Sequence, residues 1–420
     1  MQTLTKLLRR AARTFSYSTM SKQTRVLRCN PAAISFTEAE EPQFREQETL
    51  TSLEDARKLL LALQPVAFPT ETVYGLGALA LNTTAASRIF STKGRPPDNP
   101  LIVHVSSKKM LQRILPPSYN ISRTYETLIR RFWPGPLTLL FPSCSGLVPP
   151  IITAGQPTVA IRMPSHPVAR ALIAVADEPI AAPSANSSGK PSPTRAEHVL
   201  KDLDGKIELI IDGGACGVGL ESTVVDGLHE DGNIRILRPG GVTVEDIENA
   251  LREELGESVD IPRVLVHRRD YRDEAMEQAP TTPGMKYRHY SPAVPVVLIY
   301  TSSAPPLESR ATSSRDFFAS LETRYEHSGP LKVGLLTPSD SPLLARIPEV
   351  SGVQWFRYPL GPIADPSVTA QRLFDNLLTA ERDGVNLILI EEVAEEREGL
   401  AVMNRVKKAA GESVWLDRTT

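Results

Sequence analysis

At 420 residues, with 41% hydrophobic and 23% charged residues and a net charge of −2, the chain has the make-up of a globular protein of two or three domains. That balance excludes retention on nucleic acid by bulk charge, and no apolar run reaches the length of a membrane span. Cys29, Cys144 and Cys216 are too scattered for a disulfide framework or a zinc site, and they suit a reducing compartment.

Residues 1–40 read as a basic targeting or disordered segment. The first 37 hold seven Lys/Arg and no acid, and the Leu/Arg cluster Leu7–Arg13 precedes a Ser/Thr-rich piece, as in mitochondrial presequences. A plain disordered basic tail has the same composition. Met20 as a second start would remove most of this segment, so two pools are expected, one mitochondrial and one cytoplasmic.

Residues 49–262 read as a first globular domain. Ser52 and Asp55 predict a capping box over a helix to Leu63, and Pro65 precedes a strand over Val66–Phe68. A helix over Ala85–Thr92 leads into the turn Lys93-Gly94-Arg95. Leu101–Val105, Leu137–Phe141, Thr158–Arg162, Pro179–Ala182, Leu209–Asp212, Ser222–Asp226 and Ile234–Arg238 read as strands. Helices are expected over Tyr125–Trp133, after a Thr194/Glu197 capping box, and after a Thr243/Asp246 one. Strands and helices mix without strict alternation, which predicts a mixed, twisted α/β sheet.

Residues 263–292 break the pattern. They are charged, then rich in Pro, Thr and Gly, and too long for an ordinary connection. Lys286, Tyr287, Arg288, His289 and Tyr290 crowd cationic and aromatic tips that a spacer does not need. From 293 to 418, short apolar strands at Val296–Tyr300, Lys332–Leu336, Gln354–Tyr358 and Leu387–Glu391 alternate with helices. That alternation predicts a smaller Rossmann-like parallel α/β domain. No G-x-G-x-x-G follows its first strand, so nothing in it points to a dinucleotide.

The chemistry-bearing stretches lie in the first domain. Phe68–Gly77 packs hydroxyls, a carboxylate, a phenol and glycines behind an apolar run, the make-up of a strand end opening into a ligand loop. Lys93 and Arg95 supply cationic donors suited to phosphate or carboxylate, and Arg238 ends a strand before Pro239-Gly240-Gly241. Ser184 and Asn186 sit in a Ser/Gly/Pro-rich loop whose amides and hydroxyls can form an anion-binding concavity. Arg162, at a strand end, can hold a carboxylate through two parallel hydrogen bonds. His104 lies on an apolar strand, where a histidine is commonly a packing residue. Glu221 reads equally as a metal ligand or a turn cap. No Walker motif and no Ser/His/Asp set occurs.

The stretches PTETVYGLG, KGRPPDNPLIVH, FWPGPLTLLF, VAIRMPSHP, IAAPSANSSGKPSPT, ESTVVD and ILRPGG occur in this order. Together they resemble the YrdC-like family of L-threonylcarbamoyladenylate synthases, and the carboxy-terminal third resembles the extra domain of the long two-domain form. The resemblance implies condensation of L-threonine, bicarbonate and ATP, with Mg²⁺, to threonylcarbamoyl-AMP and pyrophosphate, a nucleotidyltransferase reaction. The product would pass to a tRNA-modifying transfer complex, with no stable nucleic-acid binding by this chain. It further implies threonine contacts at Thr70, His104, Thr153, Arg162 and Ser222. Lys93, Arg95, Ser184, Asn186, Arg238, Tyr287 and His289 would serve ATP, with Lys93 and Arg95 acting in catalysis and the linker lying across the cleft mouth. An RNA-binding module with a basic concave surface is the alternative. It is weakened by near-neutral charge and a lack of interleaved aromatics. A carbamoyl-phosphate-using relative would carry zinc-finger cysteine pairs, and no CxxC occurs.

Overall fold

The computed structural model describes residues 23–417 except 145, 257–260, 268, 272–288, 308–309, 326–328 and 349–351. In chain order the first thirteen strands are β1 (Arg25–Arg28), β2 (Ile34–Phe36), β3 (Pro42–Phe44), β4 (Val66–Pro69), β5 (Tyr74–Leu79), β6 (Val103–His104), β7 (Leu137–Pro142), β8 (Thr158–Arg162), β9 (Ile180–Ala181), β10 (Leu209–Asp212), β11 (Thr223–Asp226), β12 (Ile234–Arg238) and β13 (Val264–Val266). All but β2 and β3 form one mixed sheet in the order β1-β10-β4-β5-β9-β6-β8-β7-β11-β12-β13. The mixed twisted sheet expected from the sequence is what forms.

Both expected boundaries of this domain move outward. β1 pairs in parallel with β10 from Arg25↔Leu209 to Arg28↔Asp212, and β2 pairs with β3. The segment before residue 40 is therefore not all tail: residues 25–36 are built into the fold, while 1–22 lie outside the described residues. At the other end β13 pairs with β12, so the linker starts after this strand rather than at residue 263.

Two expected caps have other work. The first helix runs Gln47–Leu61 and buries Leu53, Ala56 and Leu60 on one face. Ser52 therefore lies inside it, and its hydroxyl donates to Arg28 O at 2.8 Å, tying edge strand β1 to the helix. Thr194 does not cap the helix Ala196–Leu203 through its side chain. Its backbone N–H donates to His198 Nδ1 at 3.3 Å, and Glu197 faces Arg382 at 3.6 Å. The third box is as read: Asp246 N donates to Thr243 Oγ1 at 3.0 Å and Thr243 N to Asp246 Oδ2 at 3.1 Å.

The second domain has β14 (Val296–Tyr300), β15 (Leu331–Thr337), β16 (Val353–Pro359), β17 (Leu387–Glu391) and β18 (Glu412–Trp415), all parallel, in the order β16-β15-β17-β14-β18. The Rossmann-like layout holds, with β18 added beyond the expected strands. Among the described residues no helix is long and apolar enough to cross a membrane.

The domains share a core. Val73 and Leu220 of the first pack in one cluster with Tyr290 and with Leu373 and Phe374 of the second. Arg195 meets Asp375 at 2.8 Å across the same seam. At Gly219, with φ of +77°, an added Cβ would lie 2.4 Å from Gln371 O on the helix Pro366–Arg382. Gly214 also has positive φ (+90°), but an added Cβ there would meet nothing within 4 Å. Gly219→Ala should therefore destabilise more than Gly214→Ala, by about 1–3 kcal/mol, the usual cost of overpacking. Urea unfolding of the two variants measures the difference, and equal midpoints would mean that the seam accommodates the methyl group.

Candidate functional site

Strand ends and turns from distant parts of the chain converge on one cleft. β4 and β5 form an antiparallel hairpin whose loop begins at Thr70. Thr70 Oγ1 donates to Val73 O at 2.7 Å and accepts from the Thr72 and Val73 amides at 3.2 Å each, which fixes the loop. Gly77 serves packing, because an added Cβ would lie 2.4 Å from the Phe68 ring. Of the two glycines in this stretch, only Gly75 lines the cleft.

The cleft encloses about 540 Å³, mouth included. Of the residues expected from the sequence, Thr70, Arg95, His104, Arg162, Ser184, Ser222, Arg238 and His289 line it. Glu221 and Tyr290 line it too.

Three other expected residues that the structure describes are not in that lining. Thr153, at the end of the short helix Pro150–Thr153, opens onto a separate surface hollow with Thr83, Ser143 and Gln156. Lys93 is buried at the end of the helix Thr83–Lys93, which Asn82 caps and Gly94 ends in the left-handed region. Its ammonium donates to the carbonyls of Ser184 and Asn186, so it clamps the loop rather than facing the cavity. Asn186 opens instead onto a cleft between the domains, with His198 and Arg382. Tyr287 lies outside the described residues.

The cavity's electrostatics favour an anion. Burial drives the Lys93 ammonium well below its ordinary value, and the neighbouring Arg95 adds to this. Burial also lowers Arg95 to about 10 and brings Arg238 down. Arg95 Nη2 donates to the Asn99 and Pro100 carbonyls at 3.2 and 3.1 Å, and its Nε is buried with no partner among the described residues. Such a donor costs free energy until a ligand accepts from it. Arg238 donates from Nε and Nη2 to Ser222 O, at 3.2 and 2.8 Å.

On the opposite side, Arg162 Nε donates to Gly135 O at 3.2 Å, Nη1 to Thr72 Oγ1 at 2.9 Å, and Nη2 to Glu71 Oε1. The guanidinium thus already holds a carboxylate. Glu71 went unassigned in the sequence reading although it lies inside the first motif, because nothing local marks which cation it meets 91 residues away. Ser222 Oγ lies 2.8 Å from Thr138 Oγ1. His104 Nδ1 lies 3.2 Å from Ile102 O. Burial, helped by Arg162, lowers its pKa to about 3, so the ring is neutral near pH 7.

The end of the linker covers the mouth. His289 and Tyr290 have ring centroids 4.4 Å apart, and Tyr290 packs at a tilt of 35° on Phe374 of the second domain, centroids 5.3 Å apart. Ser291 N donates to Gly189 O at 2.9 Å, and its Oγ donates to Ala409 O at 3.3 Å, so one residue ties the linker to both domains. Burial lowers His289 to about 4 and raises Tyr290 to about 12. Among the described residues no group of three or more His, Cys, Asp or Glu is placed to hold a metal ion.

The comparisons with known proteins cover nearly the whole fold. The Sua5/YciO/YrdC family profile, described as "Telomere recombination", matches residues 58–240, and "Threonylcarbamoyl-AMP synthase, C-terminal domain" matches 242–411. The chain is 43% identical over 392 residues to a threonylcarbamoyl-AMP synthase of Schizosaccharomyces pombe, covering 86% of this chain and 89% of that one. It is 41% identical over 358 residues to that of Bacillus subtilis, covering 85% and 92%. The crystal structure of Pyrococcus abyssi Sua5 complexed with L-threonine superposes with a TM-score of 0.71 at 37% identity, covering 94% of this chain and 100% of that one.

Burial lowers four histidines among the described residues, and the two that line the cleft, His104 and His289, give the site a pH signature. Folded pKa values of about 3 (His104) and 4 (His289) lie below the ordinary 6.5, so the unfolded chain binds those protons first. Their effect on stability is nil above pH 6.5 and becomes a loss as pH falls from 6.5 toward 4. Thermal melts across that window should fall steadily, and His104→Gln should flatten the slope. A slope unchanged in that variant would mean that His104 protonates in the folded protein.

Proposed function

The chain belongs to the two-domain threonylcarbamoyl-AMP synthase family, and from that premise we propose that it condenses L-threonine, bicarbonate and ATP to L-threonylcarbamoyl-AMP and pyrophosphate. The reaction is a nucleotidyl transfer, and its product serves a separate complex that modifies adenosine in tRNA beside the anticodon. One observation carries the reading: the residues expected to hold an amino acid (Thr70, His104, Arg162, Ser222) and those expected to hold a nucleotide (Arg95, Ser184, Arg238, His289) line a single cavity.

In this reading the threonine carboxylate takes the Arg162 guanidinium, displacing Glu71, which pairs with it. Neutral His104 and the hydroxyls of Thr70 and Ser222 surround the rest of the amino acid. Threonine's amine captures bicarbonate as a carbamate, the N–C bond forming as a C–O bond breaks and water leaves, and the carbamate oxygen attacks the α-phosphorus in line as pyrophosphate leaves. Every bond made or broken belongs to a substrate, so the protein supplies position and charge. Alignment of this kind is worth up to about 7–11 kcal/mol of barrier. Arg95 and Arg238 neutralise charge on the phosphates, and Lys93 acts through the loop it clamps. In this reading Mg²⁺ accompanies the nucleotide substrate, and among the described residues no group of three or more His, Cys, Asp or Glu is placed to hold a metal ion.

Purified protein given ATP, bicarbonate and single amino acids should release pyrophosphate only when threonine and bicarbonate are both present. Release without threonine would refute the reading. Arg162→Ala should raise the KM for threonine about tenfold or more with little change in the KM for ATP, as loss of a charge-assisted pair does. Equal effects on both substrates would remove Arg162 from the threonine subsite.

We further propose that the chain exists in two pools, a mitochondrial one made from Met1 and a cytoplasmic one from Met20, on the strength of the acid-free basic segment before Glu38. Met20→Ala should abolish the cytoplasmic pool in fractionated cells. An undiminished cytoplasmic pool would sink the second-start idea.

A further inference from the structure

One guanidinium from the second domain touches three of the parts that build the cleft. Arg405 lies on the helix Glu398–Ala409 and has no solvent exposure. Its Nε donates to Glu221 Oε2 at 3.1 Å, and Nη2 stands 3.1 Å from the same oxygen. Nη1 donates to Pro239 O, directly after Arg238, and to Ala401 O at 3.2 Å. The guanidinium carbon lies 5.8 Å from the centre of the Tyr290 ring.

These contacts close a ring. Glu221 precedes Ser222, whose carbonyl accepts from Arg238, and Arg238 precedes Pro239, whose carbonyl returns to Arg405. The second Glu221 oxygen accepts from Ser192 Oγ at 2.6 Å. Stability alone does not call for this arrangement, since Ala401, Val402 and Val406 on the same helix are buried apolar residues. A buried ion pair is often no more stabilising than apolar packing of equal volume, and its better-attested use is to fix one geometry.

Resting on the functional reading above, we propose that Arg405 is a positioning residue of the reaction. Through it, the docked second domain sets the Glu221–Ser222 wall, the Arg238–Pro239 wall and the Tyr290 cover, and the cavity is complete only with the domains docked. The second domain is thereby part of the active site without touching substrate.

The test compares the unaltered protein with Arg405→Met, Arg405→Lys, Glu221→Gln and the Arg405→Met/Glu221→Gln pair, using pyrophosphate release and thermal melts. Arg405→Met should lower kcat/KM about tenfold to a hundredfold, as removing an outer-shell partner does at metal sites. Arg405→Lys should recover part of that loss. A pH profile separates positioning from folding. Burial pushes the Glu221 carboxyl up, but Arg405 first, then Arg238 and the Ser192 hydroxyl, hold it at about 2. His289 and Tyr290 are the other titratable groups facing it. Without Arg405 the Glu221 carboxyl rises, so Arg405→Met should gain an acid limb in kcat/KM that the double variant lacks. Native constants and a native profile in Arg405→Met would overturn the proposal, as would a lower melting temperature with no new limb. Should Arg405→Met not fold, Arg405→Lys and Glu221→Gln decide it, and native kinetics in both would overturn it. If the unaltered protein itself releases no threonine-dependent pyrophosphate, the functional reading has failed instead.

Discussion

Clustered, buried positive charge is the constraint on which the cleft depends. Lys93, Arg162 and Arg238 are buried, and Arg95 is half-buried beside them. Charges of one sign so close in a poorly polarisable interior repel, and each also loses its hydration. The fold meets them with strand-end and loop carbonyls: Ser184 and Asn186 for Lys93, Asn99 and Pro100 for Arg95, Gly135 for Arg162, Ser222 for Arg238. Carbonyl dipoles satisfy hydrogen bonds without cancelling net charge. The carboxylates of Glu71 and Glu221 cancel part of it, but Glu221 also answers Arg405. What remains is a cavity whose energy falls when an anion enters, which is what a polyphosphate or an amino-acid carboxylate offers.

That constraint explains why two domains and a linker end meet at this place. A charged cleft open to water would be screened and weak. The second domain and residues 289–291 exclude solvent there: Tyr290 packs on Phe374, Ser291 ties both domains, and Arg405 seats on Glu221. The seam is apolar at Val73, which lines the cleft, and at Leu220, next to the cleft residue Glu221. Docking and site construction are therefore one packing event.

Much of this was legible in the sequence, for reasons that differ by element. The strands of the second domain are short apolar runs between polar turns, and period and length alone found them. Thr243/Asp246 was readable as a cap because both partners are local. Ser52/Asp55 and Thr194/Glu197 carry the same signature, but Ser52 and Glu197 answer distant partners, Arg28 and Arg382, that no local pattern reveals, and Thr194 meets His198 four residues on. β1 lay hidden in a basic segment because its register is set by β10, far along the chain. The ordered motifs identified most of the cavity-lining residues. Lys93 and Asn186 fall in the same motifs but, like Thr153, do not line the cleft, since a motif fixes neighbourhood in sequence and not the direction of a side chain. Arg405 had no signal at all: one arginine among Val402, Met403 and Val406 reads as a solvated residue on an amphipathic helix, whereas here it is wholly buried.

A site built this way also sets how substrate selection works. Rejecting serine in favour of threonine rests on one methyl group, worth about 1–3 kcal/mol in a fitted pocket. Rejecting valine rests on a hydroxyl, whose loss costs more wherever the groups that would face it are buried. A histidine held neutral can donate from one nitrogen and accept at the other, and an imidazolium would only donate and would add a further charge to the cation cluster. The burial that depresses His104 thus serves recognition and limits repulsion together. The same burial makes the folded state lose stability in acid, so the selectivity of the proposed threonine subsite and the acid sensitivity of the fold have one physical origin.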